Sequence, residues 1–310
     1  MKRVLLGALT TAALVSSMFA TEGAIMFGAK GMQEEKVQKI IEDLEAETGF
    51  VVSDPHERIN DAYVEKYGST TLDLLSFYSI ANNVAIHDVI TKYPKIGAFT
   101  PFNLYPYKMK EGDTTWIGHL RPCVMADMAG MKDEKLREAF KAPFAKLDSF
   151  LKERMGADQI HVLEFEGKLP DEPLMTFEYE FEGSPDDFEW DFQDKFESAF
   201  EDKGYIIAGF KNINVYFKDN EMDTPYDKYW VYSLCHFKFS HSVFNDIPEA
   251  GLFAPCSVYM YIPKGEKKMY VGMPKLENWI VLANITDKKK IEMIRALDKE
   301  ITETFKELAE

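Results

Sequence analysis

The chain has 310 residues, of which 46% are hydrophobic and 14% aromatic, and its formal net charge is −16. This length and composition suit two folded domains of ordinary size and exclude a disordered chain. A surface this acidic repels phosphate backbones and anionic lipids, which argues against binding of nucleic acid or of a membrane surface.

The first twenty residues have the pattern of a signal peptide. Lys2 and Arg3 form a short positive region, an apolar stretch follows over residues 4–19, and Ala20 is a plausible cleavage position. No later segment is apolar for long enough to span a bilayer. We therefore expect a periplasmic or secreted protein, with no membrane insertion after the signal peptide is cleaved.

Residues 94–107 are the centre of an internal repeat. They share the skeleton P-x-x-G-x-F-x-P-x-x-x-Y-x-Y with residues 248–261, at an offset of 154 positions. The same offset runs without a gap over residues 59–153, where roughly a quarter of the positions are identical, as expected for a diverged duplication. One folding unit therefore occurs twice in this chain.

The duplication predicts two domains with the same topology. The first covers residues 21–158 and the second covers residues 159–310, after the signal peptide at residues 1–20. An ungapped offset of this length leaves little room for a difference in strand order. The expected structural equivalents include Pro94 and Pro248, Gly118 and Gly272, and Tyr105 and Tyr259.

Periodicity predicts the elements of the first domain. Apolar residues recur every three or four positions in residues 34–46, as in an amphipathic helix, and Gly49 ends this helix before a strand. A closing helix with the same spacing covers residues 136–151. The opening strand has two candidates, residues 24–27 and residues 160–165, because its expected place falls at the end of the signal peptide.

The second domain shows the clearer order of elements. Residues 175–181 alternate apolar and polar side chains, as a half-buried strand does. A helix at residues 188–200, four further strands and a closing helix follow. The order β-α-β-β-β-β-α predicts an α+β fold, in which each domain is an antiparallel sheet with its helices on one face.

The second domain resembles a known family. Cys235 closes one strand, and Pro255 and Cys256 open the next. This pattern is similar to that of the bacterial domain of unknown function 302 family. The resemblance implies a tandem copy of a TATA-binding-protein-like β-α-β4-α domain. It does not imply DNA binding, against which the acidic charge argues, and it brings no established activity. It also implies a monomer with an intramolecular pseudo-dimer, or a homo-oligomer. The first domain departs from the pattern, with Ala81 and Phe102 at the two cysteine positions.

Aromatic and histidine side chains recur at equivalent places in both domains. Tyrosines two positions apart on a strand point to one face. A histidine precedes each repeated loop, where imidazole can serve as a ligand or in a shared structural hydrogen bond. One interpretation is a ligand pocket between the copies, and the other is packing in the core or at its rim. The candidate ligand-binding residues are Tyr78, His87, Tyr105, Tyr107, Tyr232, His241, Tyr259 and Tyr261.

A run of three methionines suggests a soft metal site in an exported protein. Thioether ligands suit Cu(I). The repeat counterparts of these methionines are a tryptophan, a leucine and an isoleucine, which are simply apolar. Methionine fills irregular cores well, so burial in the core is the favoured interpretation. The residues concerned are Met125, Met128 and Met131.

Cys235 and Cys256 are expected to be neighbours on adjacent strands and to form a disulfide. An exported location permits the oxidised state, and two unlinked buried thiols are the alternative. With His236 and His241 they also make a loose zinc-like set, but the first domain lacks all but one of its equivalents. We therefore predict no metal site.

The sequence contains no evident nucleophile motif, phosphate-binding glycine loop or catalytic carboxylate pair, and it names no cofactor. We expect a non-enzymatic tandem-domain protein that binds a small molecule or a protein partner. The alternative is a periplasmic thiol-redox or metal-handling protein that uses Cys235 and Cys256. A purely structural interaction module is the third possibility.

Overall fold

The computed structural model describes residues 21–309, so the expected signal peptide lies outside the described residues. The first domain contains six strands, five helices and one 3-10 turn, named here the first turn. Its elements are β1 (Thr21–Lys30), α1 (Glu34–Thr48), β2 (Val51–His56), α2 (Ile59–Tyr67), β3 (Leu72–Leu75), β4 (Phe77–Ala81), α3 (Asn83–Lys92), the first turn (Pro94–Ala98), β5 (Phe102–Met109), β6 (Thr114–Leu120), α4 (Pro122–Met128) and α5 (Glu134–Met155).

One connecting strand precedes the second domain, which repeats the same order with its own 3-10 turn, named the second turn. These elements are β7 (Gln159–Phe165), β8 (Leu174–Glu180), α6 (Pro185–Glu201), β9 (Tyr205–Asn212), α7 (Ile213–Asp219), β10 (Tyr226–His236), α8 (Phe237–Phe244), the second turn (Pro248–Phe253), β11 (Cys256–Pro263), β12 (Lys268–Pro274), α9 (Glu277–Leu282) and α10 (Lys288–Glu307). Within residues 21–309, no helix has the length and apolar character that crossing a membrane requires.

Each domain is built on one antiparallel sheet, and the two sheets have the same strand order. The first sheet runs β2-β4-β5-β6-β1-β7, with β3 also paired to β5, and the second runs β9-β10-β11-β12-β8. β3 and β4 together take the place that the single strand β10 has in the second domain. The predicted α+β class is confirmed, and so is the prediction of one strand order for both copies.

The register confirms the predicted equivalence of the two copies. Tyr105 lies opposite Gly118 in the β5–β6 pair, and Tyr259 lies opposite Gly272 in the β11–β12 pair. The two turns begin at equivalent prolines, and each is followed by a cis peptide bond before a proline. The duplication therefore preserves cross-strand pairing as well as element order.

Both candidates for the opening strand are strands of the first sheet. Residues 24–27 lie in β1, which takes the same place in its sheet that β8 takes in the second. Residues 160–165 lie in β7, which pairs with the other edge of β1. The first sheet therefore extends beyond the predicted domain boundary at residue 158.

Local side-chain signals set the ends of several helices. Asn82 caps α3, and Asp133 caps α5, each through a side-chain oxygen that accepts a backbone N–H hydrogen bond. Gly49 ends α1 with a φ of 80°, a left-handed conformation that glycine adopts without steric cost. The sequence predicted that this helix ends at Gly49.

Each hydrophobic core contains residues of both domains. The core beneath α1 and α5 of the first domain includes Phe217, Tyr229 and Tyr259 of the second. The core beneath α6 and α10 of the second domain includes Tyr63 and Tyr105 of the first. The sheet face that a domain's own helices leave uncovered is thus buried against the other domain.

The methionine run is part of the first core. Met125, Met128 and Met131 are 2%, 4% and 2% exposed and pack among apolar neighbours of α4 and α5. The prediction that these side chains are buried is confirmed. The apolar character of their repeat counterparts is explained by this shared position in a core.

Candidate functional site

The repeated loop of each domain lies against the sheet of the other domain. The first turn packs on β11, and the second turn packs on β5. Tyr105 donates a hydroxyl hydrogen bond to the Pro248 carbonyl at 2.8 Å, and Tyr229 donates one to the Pro94 carbonyl at 2.6 Å. The most strongly repeated stretch of the sequence is therefore the contact between the domains.

The two candidate histidines join the domains reciprocally. Nε2 of His87 lies 2.6 Å from the carbonyl oxygen of Asp223, and Nε2 of His241 lies 3.0 Å from that of Ser69. Ser69 and Asp223 are themselves repeat equivalents, 154 positions apart. Contacts of this kind, in which equivalent residues exchange roles, are those of a two-fold interface. The two copies form an intramolecular pseudo-dimer.

The other candidate tyrosines are held by contacts within the protein. Tyr78 and Tyr232 occupy equivalent positions, and each donates its hydroxyl hydrogen bond to a glutamate of its own domain. Tyr107 donates one to a glutamate of the second domain at 3.1 Å. Tyr259 and Tyr261 stack along β11, with 6.2 Å between ring centroids. A ligand-binding role for the eight candidates stays a prediction.

A cavity of about 110 Å³ lies between the two domains. The first domain contributes walls from β2, α2 and β4, and the second contributes walls from β9, the end of β10, α8 and the segment after the second turn. Most of these side chains are apolar. The walls include Ile59, Tyr63, Phe77, Ala208, Cys235 and Ser240.

The Tyr63, Ser240 and Cys235 side chains at this cavity are uncharged near pH 7. Tyr63 donates a hydrogen bond to Ser240 Oγ at 2.7 Å, and the Ser240 hydroxyl donates one to the first carbonyl of α8 at 3.0 Å. Burial raises the pKa of the Cys235 thiol to about 11 and raises the pKa of Tyr63 well above its ordinary value. Nε2 of His56 lies 2.5 Å from the Ala208 carbonyl oxygen. The cavity therefore suits a neutral ligand.

The residues of the cavity were not predicted from the sequence. Among the described residues, none of the eight candidates lines it. A signal was present in the repeat, because two polar wall residues have apolar counterparts: Tyr63 corresponds to Phe217, and Ser240 to Ile86. Phe217 and Ile86 are both 0% exposed. A difference in polarity between equivalent residues of the two copies therefore indicates the cavity, whereas the sequence similarity between the copies does not.

Cys235 and Cys256 lie on adjacent strands, as expected, and both are free thiols in this structure. Leu234, rather than Cys235, is the residue opposite Cys256 in the β10–β11 register. Successive side chains of a strand point to opposite faces, so Cys235 and Cys256 are not a directly opposed pair, although both line one small pocket at the ends of β10 and β11. The disulfide stays a prediction, and the register argues against it.

Thiol labelling of the denatured, unreduced protein is expected to find three reactive cysteines. Cys123, Cys235 and Cys256 are all free thiols in this structure, and Cys235 is offset by one residue from the position opposite Cys256. The mass shift after labelling gives the count directly, and a reduced sample labelled in parallel provides the value for complete reaction. A count of one thiol would show instead that the ends of β10 and β11 rearrange to form the bridge.

The zinc-like set does not converge. Nδ1 of His236 accepts the Phe239 N–H at 3.2 Å and caps α8, while His241 faces the first domain. Within residues 21–309, no three His, Cys, Asp or Glu side chains come together as a metal site. In this structure His236 caps a helix, and His241 contacts the first domain.

The comparisons concern mainly the second domain. Residues 184–308 match the family model described as domain of unknown function DUF302. The chain is also similar to the crystal structure of an uncharacterized conserved DUF302 protein from Bacillus stearothermophilus, at 16% identity and a TM-score of 0.36, covering 43% of this chain and 94% of that one. No curated protein matches the chain.

Proposed function

We propose that this chain, whose second domain belongs to the DUF302 family, binds a small, neutral, apolar molecule in the cavity between its domains. The observation that carries the proposal is the cavity of about 110 Å³ with mostly apolar walls from both domains. Small-molecule sites are concave and mostly apolar, with few polar groups, and often lie between domains. An apolar cavity of about 150 Å³ binds benzene or xenon, so the ligand here is of that size or smaller.

The polarity of the walls supports a neutral ligand. The Tyr63 hydroxyl and the Ser240 hydroxyl are engaged with each other and with the backbone. The raised pKa of Cys235, caused by burial, keeps its thiol protonated near pH 7. The walls contain no Asp, Glu, Lys or Arg side chain, so a charged ligand would lose its hydration with little opposite charge to replace it, which is unfavourable. An apolar ligand has no such favourable hydration to lose on binding.

The proposed setting is outside the cytoplasm. Residues 1–20 carry the charge and apolar pattern of a signal peptide. The thiol-redox alternative has in its favour that Cys235 and Cys256 lie on adjacent strands, but the state of the two thiols disfavours it. Burial raises the pKa of both Cys235 and Cys256, and a protonated thiol is a poor nucleophile and metal ligand.

Filling the cavity tests the proposal. Ala208→Leu adds an apolar side chain at the wall, and Ala199→Leu adds the same group on α6, away from the cavity, at a position of similar exposure. Benzene and xenon are the apolar probes, and benzoate is the charged one. We expect benzene to bind the wild type and the α6 control, and to bind Ala208→Leu at least about tenfold more weakly, a difference of 1.4 kcal/mol.

Three results would contradict the proposal: no benzene binding to the wild type, equal binding to both variants, or benzoate binding as tight as benzene. Calorimetry gives the affinities, and circular dichroism checks that the variants fold. Native mass spectrometry of the protein from its own host then detects any retained ligand, and the same spectrum shows whether residues 1–20 have been removed.

A further inference from the structure

β8 is an edge strand whose outer side has no strand beside it in the described chain. It pairs only with β12, at the end of the second sheet. The Phe181 N–H donates to the Lys267 carbonyl at 3.1 Å, and the Lys275 N–H donates to the Pro173 carbonyl at 2.9 Å. Since hydrogen-bonded and open positions alternate along an antiparallel strand, the even-numbered residues from 174 to 180 turn their N–H and C=O groups outward.

The first sheet shows what covers the equivalent edge. β1 has the place of β8, because Met26 lies opposite Gly118 and Thr176 lies opposite Gly272, its repeat equivalent. β7 pairs antiparallel along the outer edge of β1, with His161 opposite Met26. The second domain has no counterpart of β7 among the described residues. The outer edge of β8 is therefore equivalent to an edge that, in the first sheet, pairs with an antiparallel strand.

There is room beside β8 for such a strand. A groove of about 500 Å³ is lined by residues 171–177 together with Lys95 and Gly130 of the first domain, Lys275 and Thr302. Lys275 is paired with Glu172, at 3.7 Å between its Nζ and a carboxylate oxygen. Exposed strand edges are templates for pairing with another chain, and proteins that leave them open often use them for recognition.

The charge of the edge selects the partner. Residues 171–182 contain five acidic residues and no basic one. The side chains of Glu178 and Glu180 are 58% and 83% exposed. Nζ of Lys268 on β12 lies 2.9 Å from a carboxylate oxygen of Glu178 and 3.7 Å from one of Glu180. Pairing of two copies through β8 would bring four such glutamates onto one face, and like charges on neighbouring strands are destabilising. A strand with basic residues has the complementary charge.

We propose that the outer edge of β8 binds an extended, cationic segment of a partner protein by strand addition. The partner strand would run antiparallel to β8, as β7 does to β1. Backbone hydrogen bonds to the even-numbered residues would hold it, and its lysine or arginine side chains would lie beside Glu178 and Glu180. This surface is separate from the cavity between the domains.

The test uses a nine-residue peptide of alternating valine and lysine or threonine, with a matched peptide in which glutamate replaces lysine. Thr176→Pro removes an outward N–H and leaves the ladder to β12 intact, and Thr176→Val is its control. We expect Thr176→Pro to weaken binding of the lysine peptide about tenfold, the size expected from losing one or two backbone hydrogen bonds. Fluorescence anisotropy gives the affinity.

A second variant and a second measurement keep the test independent of how well the proline is tolerated. The double charge reversal Glu178→Lys and Glu180→Lys is expected to weaken the lysine peptide and strengthen the glutamate peptide. Hydrogen exchange should show new protection at residues 174–180 when the lysine peptide is added. Equal binding of both peptides, or no effect of either variant, would overturn the proposal. So would a dimer that already protects β8 without peptide, because the occupant would then be a second copy of this chain.

Discussion

Gly251→Ala is expected to lower the free energy of unfolding by about 3 kcal/mol, at the upper end of the range for overpacked cores. A Cβ atom at Gly251 would lie 2.3 Å from Cζ of Tyr105 and 2.4 Å from its hydroxyl oxygen. Tyr105 is fully buried and its hydroxyl is bonded to the Pro248 carbonyl, so the ring has no free space to enter. The second turn itself must move off β5.

Urea denaturation of the full chain measures this change, and two further variants separate the contact from a general effect of losing glycine. Gly112→Ala is the control, because its Cβ would meet nothing closer than 3.3 Å, at Met109. Gly251→Ala combined with Tyr105→Leu should lose less stability than the two single changes added together, since the smaller side chain removes the clash. A stability of Gly251→Ala within about 0.5 kcal/mol of wild type would mean that the turn does not rest on Tyr105.

Asp298 is expected to make the protein less stable as pH rises from 4 to 6. Burial raises the pKa of this carboxyl to about 6, although it accepts backbone hydrogen bonds from Leu276 and Glu277. The folded state therefore binds the proton more tightly than the unfolded state, whose pKa is near 3.8. This contribution to stability is fully present below pH 4 and is lost as pH rises through 6. Its size is on the order of 2–3 kcal/mol.

The comparison with Asp298→Asn isolates this group from the other carboxylates. Because asparagine does not titrate, the variant should gain stability relative to wild type between pH 4 and 6 and keep that gain above pH 6. Asp287→Asn is the matched control on the same helix, since hydrogen bonding to the Lys290 N–H lowers the pKa of Asp287. Relative to wild type, Asp287→Asn should lose stability as pH rises through the range below about 4, and its relative stability should change little between pH 4 and 6. Parallel unfolding curves for Asp298→Asn and wild type at every pH would contradict the assignment.

Among the predictions that the structure confirms, the most detailed came from comparing the chain with itself. The ungapped offset identified the same residue pairs that the register brings into equivalent places, such as Tyr105 and Tyr259. The same comparison showed that apolar residues replace the three methionines in the second copy, and their burial follows. These inferences succeed because they depend on local properties, namely helix and strand periodicity, turn residues and core hydrophobicity. In a duplicated sequence, each of these properties can be observed in two copies.

The roles of the candidate residues required the tertiary structure. His87 and His241 were interpreted either as ligand-binding groups or as structural ones, and their carbonyl partners lie 136 and 172 positions away in the chain. The cavity likewise joins Tyr63 to Ser240, which are separated by 177 positions. Nothing in the local pattern around any of these residues indicates which distant segment will face it.

The sequence alone was enough to infer a duplicated α+β unit, the first and last helices and most of the strands of each copy, and the equivalent residues of the two copies, but it did not predict the shorter helices α2, α3, α4, α7, α8 and α9. The tertiary structure alone decided that the repeated loops cross to the opposite sheet, that β7 covers one sheet edge while the outer edge of β8 carries no strand in the described chain, and that a cavity lies between the domains. The reason is physical: local elements follow from neighbouring residues, whereas pairing of sheets and domains depends on surfaces that only the folded chain brings together.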